Sequence, residues 1–261
     1  MRVLSIASTG MMAQQLNVEV ISNNIANINT TAFKRGRAEF QDLMYQSERR
    51  QGGESSDVGT IIPVGVEIGL GVRPTSVTRI NTTGSFTSTG NELDVAIEGR
   101  GYFNVTMPGG ETAYTRAGSF KLSPEGQLVT ADGYMVAPGI TVPPGTREVV
   151  INRSGEVLAY VDGQTKPRNQ GQLAMTVFVN EAGLEALGDN LFRTTPASGE
   201  PQDGLAGQAG FGTIRQKYLE SSNVNVVQEI TELISAQRAY EMNAKVVEAG
   251  DNMAGTLSNM R

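Results

Sequence analysis

The chain has 261 residues, with 21 Lys and Arg against 27 Asp and Glu for a formal charge of −6, a length that suits one large domain or two small ones. It contains no Cys, His or Trp, which excludes thiol nucleophiles, disulfides, Ser-His-Asp triads, imidazole bases and the usual Cys/His zinc sites. The acidic balance disfavours nucleic acid as a partner, and without an apolar run of about 18 residues no direct membrane insertion is expected.

From the start, Leu4, Met11, Val18 and Ile25 recur every seventh residue, with Ala7, Ile21 and Ile28 interleaved. This is the spacing of a coiled-coil seam. Gln14 interrupts the seam, and Gly10 weakens the helix by about 1 kcal/mol relative to Ala. Asn23, Asn24, Asn27 and Asn29 crowd ahead of Thr30 and Thr31, side chains that compete for their own backbone, so the helix should end near Asn27. The basic cluster Lys34-Arg35-Gly36-Arg37 reads as a local salt-bridging surface.

The polar run from Gln51 to Asp57 reads as a loop. Ile62, Val64, Val66, Ile68, Leu70 and Val72 then alternate with Pro63, Gly65, Glu67, Gly69 and Gly71, which predicts one extended strand with a bare glycine face open to close backbone approach. Beyond Arg79, short β runs alternate with turn pairs such as Pro108-Gly, Pro124-Glu-Gly, Asp132-Gly, Ser154-Gly and Asp162-Gly, the pattern of an antiparallel domain.

Within that region, Gly99-Arg-Gly-Tyr-Phe-Asn opens like a dinucleotide-binding loop, but Asn104 replaces the third glycine and no helix follows. Glu92, Asp94 and Glu98 have the parity of one strand face. A carboxylate pair for glycoside hydrolysis is the sharp reading and solvated charges the better one. No calcium-loop spacing accompanies the Asp-Gly turns. The residues therefore point to no enzyme, no cofactor and no metal.

At the far end Val226, Leu233, Tyr240, Val247 and Ala254 repeat the heptad, with Ile230, Gln237 and Ala244 as the second half of the stripe. Asn225 is the expected N-cap, Gln228 the third helical residue, and Glu229 and Glu232 a polar flank near the positive end of the dipole. The chain is thus α+β: N- and C-terminal helices form a coiled-coil core region around a central, mainly antiparallel β domain. Residues 1–32 and 222–261 are the terminal helical assembly domain. Residues 33–78 and 205–221 connect, with an extended stretch at 46–72, and 79–204 form the β domain.

The segment from Ser22 to Arg35, centred on Asn27-Ile-Asn-Thr and carried by Asn24, Ala26, Asn27, Asn29, Thr30, Phe33 and Lys34, closely resembles the N-terminal signature of bacterial flagellar rod and hook proteins. Three further stretches fit: Thr89 to Phe103, Tyr114 to Phe120, and Leu219 to Val227 followed by Gln237 to Lys245. Many members have Pro-Gly-Tyr where this chain has Thr31-Ala32-Phe33. The start Met11-Met-Ala-Gln-Gln, the Gly69-Leu-Gly-Val-Arg-Pro segment and the length look most like the distal rod form. The proximal rod and hook subunits are the alternatives within the family.

The resemblance implies a homo-oligomeric helical polymer that transmits torque, with the terminal helices as its inner core. Its seam would be Leu4, Met11, Val18, Ile21, Ile25 and Ile28 against Val226, Ile230, Leu233, Tyr240 and Val247. It further implies export through the flagellar type III apparatus without a cleaved signal peptide, and a place in the basal body from periplasm to outer membrane. Proximal rod and hook subunits and the surrounding ring proteins would be its partners, and stretch 46–72 would reach along neighbouring subunits and stiffen the shaft. A cell-wall carbohydrate hydrolase using Glu92 or Glu98, and an adhesin on a helical stalk, are the readings from other classes.

Overall fold

A computed structural model describes residues 2–49, 64–164 and 166–259, and these divide into two compact units. The first unit comprises residues 1–26, 36–79 and 225–261. It holds helix α1 (Arg2–Ala26), strands β1 (Gly36–Asp42), β2 (Tyr45–Arg49), β3 (Val66–Gly69) and β4 (Val72–Arg79), and helix α2 (Val226–Asn259). Helix α1 ends at Ala26, within the asparagine cluster, with Asn23 and Asn24 in its last turn and Asn27 and Asn29 beyond it. Helix α2 begins where the Asn225 side-chain oxygen accepts the Val227 and Gln228 amides at 3.1 and 3.4 Å, satisfying two of the helix's unpaired N–H groups. Gln228 does not close a capping box, because its amide reaches forward to Glu232 at 2.8 Å.

The two helices run antiparallel. Leu4 lies against Gly250 and Gly10 against Asn243, where an added Cβ would stand 3.0 and 2.9 Å from the partner atoms. Helix α1 also packs on β1 and β4, and Ala7, Ala13, Val20, Ile21 and Asn24 are its buried residues. On α2 the residues buried or half-buried are Glu229, Glu232, Leu233, Ala236, Ala239, Asn243, Val247, Gly250 and Ala254. The second half of its inward stripe is therefore Glu229, Ala236, Asn243 and Gly250, three residues beyond each heptad position, whereas the expected Ile230, Gln237 and Ala244 face outward. At two of these positions, Ala236 and Gly250, small residues let the two helix backbones approach. Glu229, expected on a polar flank, is fully buried.

The expected single strand from Ile62 also differs. Ile62, Pro63 and the loop from Gln51 to Asp57 lie outside the described residues. Within them, β3 and β4 are separated at Leu70-Gly71, where Gly71 takes φ +122° and turns the chain. The anticipated bare glycine face is filled at two points from within the chain. The Tyr45 ring lies over Gly69, and Thr9 lies over Gly71.

The second unit comprises residues 27–35 and 80–224 and is built from antiparallel pairs throughout. Its strands are β5 (Phe86–Ser88), β6 (Val95–Glu98), β7 (Tyr102–Thr106), β8 (Thr112–Thr115), β9 (Lys121–Leu122), β10 (Leu128–Val129), β11 (Met135–Val136) and β12 (Thr146–Ile151). There follow β13 (Glu156–Val161), β14 (Arg168–Gln172), β15 (Ala174–Val177), β16 (Glu185–Gly188), β17 (Leu191–Arg193), β18 (Gln202–Leu205), β19 (Thr213–Gln216) and β20 (Tyr218–Glu220). The largest sheet runs β16-β17-β8-β7-β11-β10-β9, with β15 joining β7 to β18. Its inner face supplies Phe103 and Met175, which with Ile97, Phe120 and Leu173 form a fully buried core. Phe103 and Phe120 meet edge to face at 5.1 Å, a favoured aromatic geometry.

Candidate functional site

The signature that carries the resemblance divides between two buried polar centres, one in each unit. In the first unit Asn24 is 2% exposed. Its side chain donates to the Gly36 carbonyl and accepts from the Gly36 amide, both at 2.8 Å, and donates to the Glu229 carboxylate at 3.0 Å. The amide thus imitates a strand partner for β1 while holding the first turn of α2. No other side chain of similar size offers a donor and an acceptor in one plane.

In the second unit the rest of the signature folds against β20. The Asn27 carbonyl accepts the Thr30 amide at 3.2 Å, the Thr30 hydroxyl bonds the Asn27 side chain at 3.1 Å, and the Phe33 amide returns to Thr30 at 3.3 Å. Ala32 stands at φ +58° and gives its amide to the Glu220 carbonyl at 2.8 Å. A left-handed residue bearing a Cβ costs about 1–2 kcal/mol, which accounts for glycine where the related signature reads Pro-Gly-Tyr. Ala26 and Asn29 are exposed, Ile28 and Phe33 half-buried.

Lys34 makes a salt bridge, as expected of its cluster, but in the interior and not on the surface. It is buried, its ammonium 2.5 Å from Glu220 Oε1 and 2.8 Å from the Thr82 carbonyl. Glu220, 1% exposed, also accepts the Gly84 amide at 2.9 Å and the Arg116 Nε at 2.6 Å. Three further donors of the Arg116 guanidinium go to the carbonyls of Ile97, Gly99 and Gly101. One carboxylate is thus shared by two cations, and every donor facing it is matched. Burial alone pushes the Glu220 carboxyl up, but Arg116, then Lys34 and the Gly84 amide, outweigh it and hold the group below the usual carboxylate range. Burial, with Arg116 adding to it, lowers Lys34 from its ordinary value against the pull of Glu220. Asn223 completes the centre: it accepts the Arg35 amide at 2.8 Å and donates to the Ile80 carbonyl at 2.7 Å.

Arg116, Glu220 and Asn223 all lie inside the stretches that resemble the family, yet composition and periodicity give them no role, because a charged side chain is placed on the surface by default. Their only sequence signal is that each stands in a short run together with turn or β residues that need a partner.

Among the seam residues, Ile21 is buried within the chain, and Leu4, Met11, Val18, Ile25, Leu233 and Val247 are half-buried. Val226, Ile230 and Tyr240 are 42, 45 and 43% exposed, and Val227, Ile234, Met242 and Val246 extend this outward apolar surface of α2.

Two of the three carboxylates weighed for hydrolysis have structural work. Glu92 accepts the Val149 amide at 2.9 Å, Asp94 is buried and accepts from Asn91 at 3.0 Å, and Glu98 is exposed. Among the described residues no group of three or more Asp or Glu side chains is placed to hold a metal ion, and no helix is long and apolar enough to cross a membrane.

Residues 4–34 match the family described as flagella basal body rod protein, residues 96–159 the flagellar hook protein FlgE/F/G D1 domain, and residues 215–260 the flagellar basal body rod FlgEFG protein C-terminal. The chain is 54% identical to the flagellar basal-body rod protein FlgG of Caulobacter vibrioides over the whole of both chains. It is 52% identical to FlgG of Agrobacterium fabrum, over 99% of this chain and 98% of that one, and 37% identical to FlgG of Bacillus subtilis, over 97% and 96%.

Proposed function

The chain belongs to the bacterial flagellar basal-body rod family, and we propose that it is the structural subunit of the distal rod, a rigid helical tube that carries torque from motor to hook. The observation that carries this reading is the outward apolar face of α2 from Val227 to Val246, set on a helix whose inner face is already occupied by α1. A monomer gains nothing from such a face, whereas copies related by a heterologous, non-closing contact bury it along the whole polymer. In this reading the antiparallel pair is the coiled-coil element of the tube's inner wall. Leu4, Met11, Val18 and Ile25 together with Val226, Ile230 and Tyr240 supply contacts to adjacent copies.

Proximal rod and hook subunits adjoin the tube, ring proteins surround it from periplasm to outer membrane, and the type III apparatus delivers the subunit. In this reading nothing is turned over, and Glu92 is engaged by the Val149 amide and Asp94 by Asn91. Electron microscopy of concentrated protein tests the reading: the full chain should form straight tubes and a chain lacking residues 1–30 should not. Tubes of normal width from the truncated chain would end it.

A further inference from the structure

Strands β1 and β2 and strands β3 and β4 make one antiparallel ribbon in the first unit. Asp42 faces Val72 on one side of a corner and Tyr45 faces Gly69 on the other, so no residue is gained or lost between them. The hydrogen bonds also continue through the corner, from the Leu43 amide to the Gly71 carbonyl at 2.8 Å and from the Leu70 amide to the Met44 carbonyl at 3.1 Å. A ribbon of two strands is easily twisted and bent. Something must therefore fix the direction in which its β2–β3 end leaves the helices.

Helix α1 meets the ribbon at two places: an exposed pairing of Arg2 with Glu48 and Gln46 on β2, which solvent screens, and the corner itself, at Thr9. The Thr9 hydroxyl donates to the Ile6 carbonyl at 2.7 Å and accepts the Val72 amide at 3.3 Å. Gly71, at φ +122°, comes so close that an added Cβ would stand 2.2 Å from Thr9 Oγ1. A side chain at 71 is excluded twice, by backbone conformation and by the hydroxyl. Removing the hydroxyl leaves the Val72 amide without its acceptor.

We propose that Thr9 and Gly71 are positioning residues that set the angle of the β2–β3 arm against the helix pair. The arm carries Met44, Tyr45, Val64 and Val66 at 80, 59, 74 and 47% exposure. If it reaches a second copy, as in the reading above on which this part rests, its aim decides whether successive copies meet it squarely. Thr9 and Gly71 then act on the shape of the polymer without touching the neighbouring copy.

The absence of cysteine makes the test direct. Spin labels are placed at Ser5→Cys on α1 and Glu67→Cys on β3, both exposed in the parent chain, and the distance between them is measured in the full-length monomer. The parent and Thr9→Ser should give one narrow distance distribution, while Thr9→Ala and Gly71→Ala should shift or broaden it several-fold. A broad distribution in the parent, or an unchanged one in Thr9→Ala, would overturn the proposal. Tubes assembled from Thr9→Ala should be curved and those from Thr9→Ser straight. Straight Thr9→Ala tubes despite a shifted distance would reject the role of the arm between copies and leave the corner as described.

Discussion

Glu220 holds two cations in a place where either alone would be an unpaired charge. Replacing it with alanine strands Lys34 and Arg116 without a counter-charge, and loss of one member of a buried pair costs about 3–5 kcal/mol. Glu220→Ala should therefore lower the unfolding free energy of the β unit by that amount in a denaturant titration, with Lys34→Met costing less because Arg116 still neutralises the carboxylate. Because the folded group is held below its ordinary value of 4.5, its contribution is complete above that value and disappears as pH falls through the folded value. The stability gap between the parent and Glu220→Gln should thus be constant near neutrality and narrow in acid. A gap that widened on acidification would contradict the pairing. The centre escaped the sequence because Lys34 and Glu220 stand 186 residues apart, and nothing local distinguishes a lysine that will be buried from one that will not.

At the scale of elements, Asn24 ties α1 to β1 and to α2 at once. A buried amide or carboxyl group left without its partner costs about 1–3 kcal/mol. Asn24→Ala should accordingly speed amide exchange at the start of α2 and along β1 while leaving the β unit's exchange unchanged; equal protection in both proteins would remove the clasp from the account. Gly10 gives a prediction of the opposite kind. Alanine there gains about 1 kcal/mol of helix propensity, and the atom that its Cβ meets, at 2.9 Å, is the free end of the Asn243 side chain. Gly10→Ala should then be close to neutral in thermal melts, whereas a drop of several degrees would mean that Asn243 has nowhere to go. The ends of both helices were legible in the sequence, since asparagine clustering and an N-cap act locally. Which half of the heptad faces inward was not. A seven-residue repeat allows its second position three or four residues on, and Ala236 and Gly250 win over Ile230 only because a second helix lies there. Glu229 follows the same rule: dipole complementarity places an acid in the first turn, but only the fold reveals Asn24 opposite it.

For the whole molecule, the sequence announced helices at the two ends and a turn-rich β middle, and that order is what the structure has. Among the described residues, the β2–β3 arm, held to α1 by Arg2 through Glu48 and Gln46, and the outer face of α2 both present apolar side chains to solvent. Removing residues 46–62 should leave the β unit's melting transition within about 0.5 kcal/mol of the parent, the range of changes that touch no core, yet give curved tubes. Loss of the melting transition would mean that the segment belongs to the subunit's fold. The outer face of α2 allows a sharper separation of folding from assembly. Leu233 is half-buried against α1, so Leu233→Asp brings a carboxylate into a contact made within the subunit as well as between copies. Ile230 is 45% exposed in the single chain, and Ile230→Asp sets its charge in water until a second copy arrives. Desolvating an unpaired carboxylate at that contact costs several kcal/mol per subunit, repeated along the polymer. Ile230→Asp should melt like the parent and remain monomeric at concentrations where the parent forms tubes. Leu233→Asp should both melt earlier and fail to assemble. Tubes of normal length from Ile230→Asp would place the contact between copies on some other face of the helix.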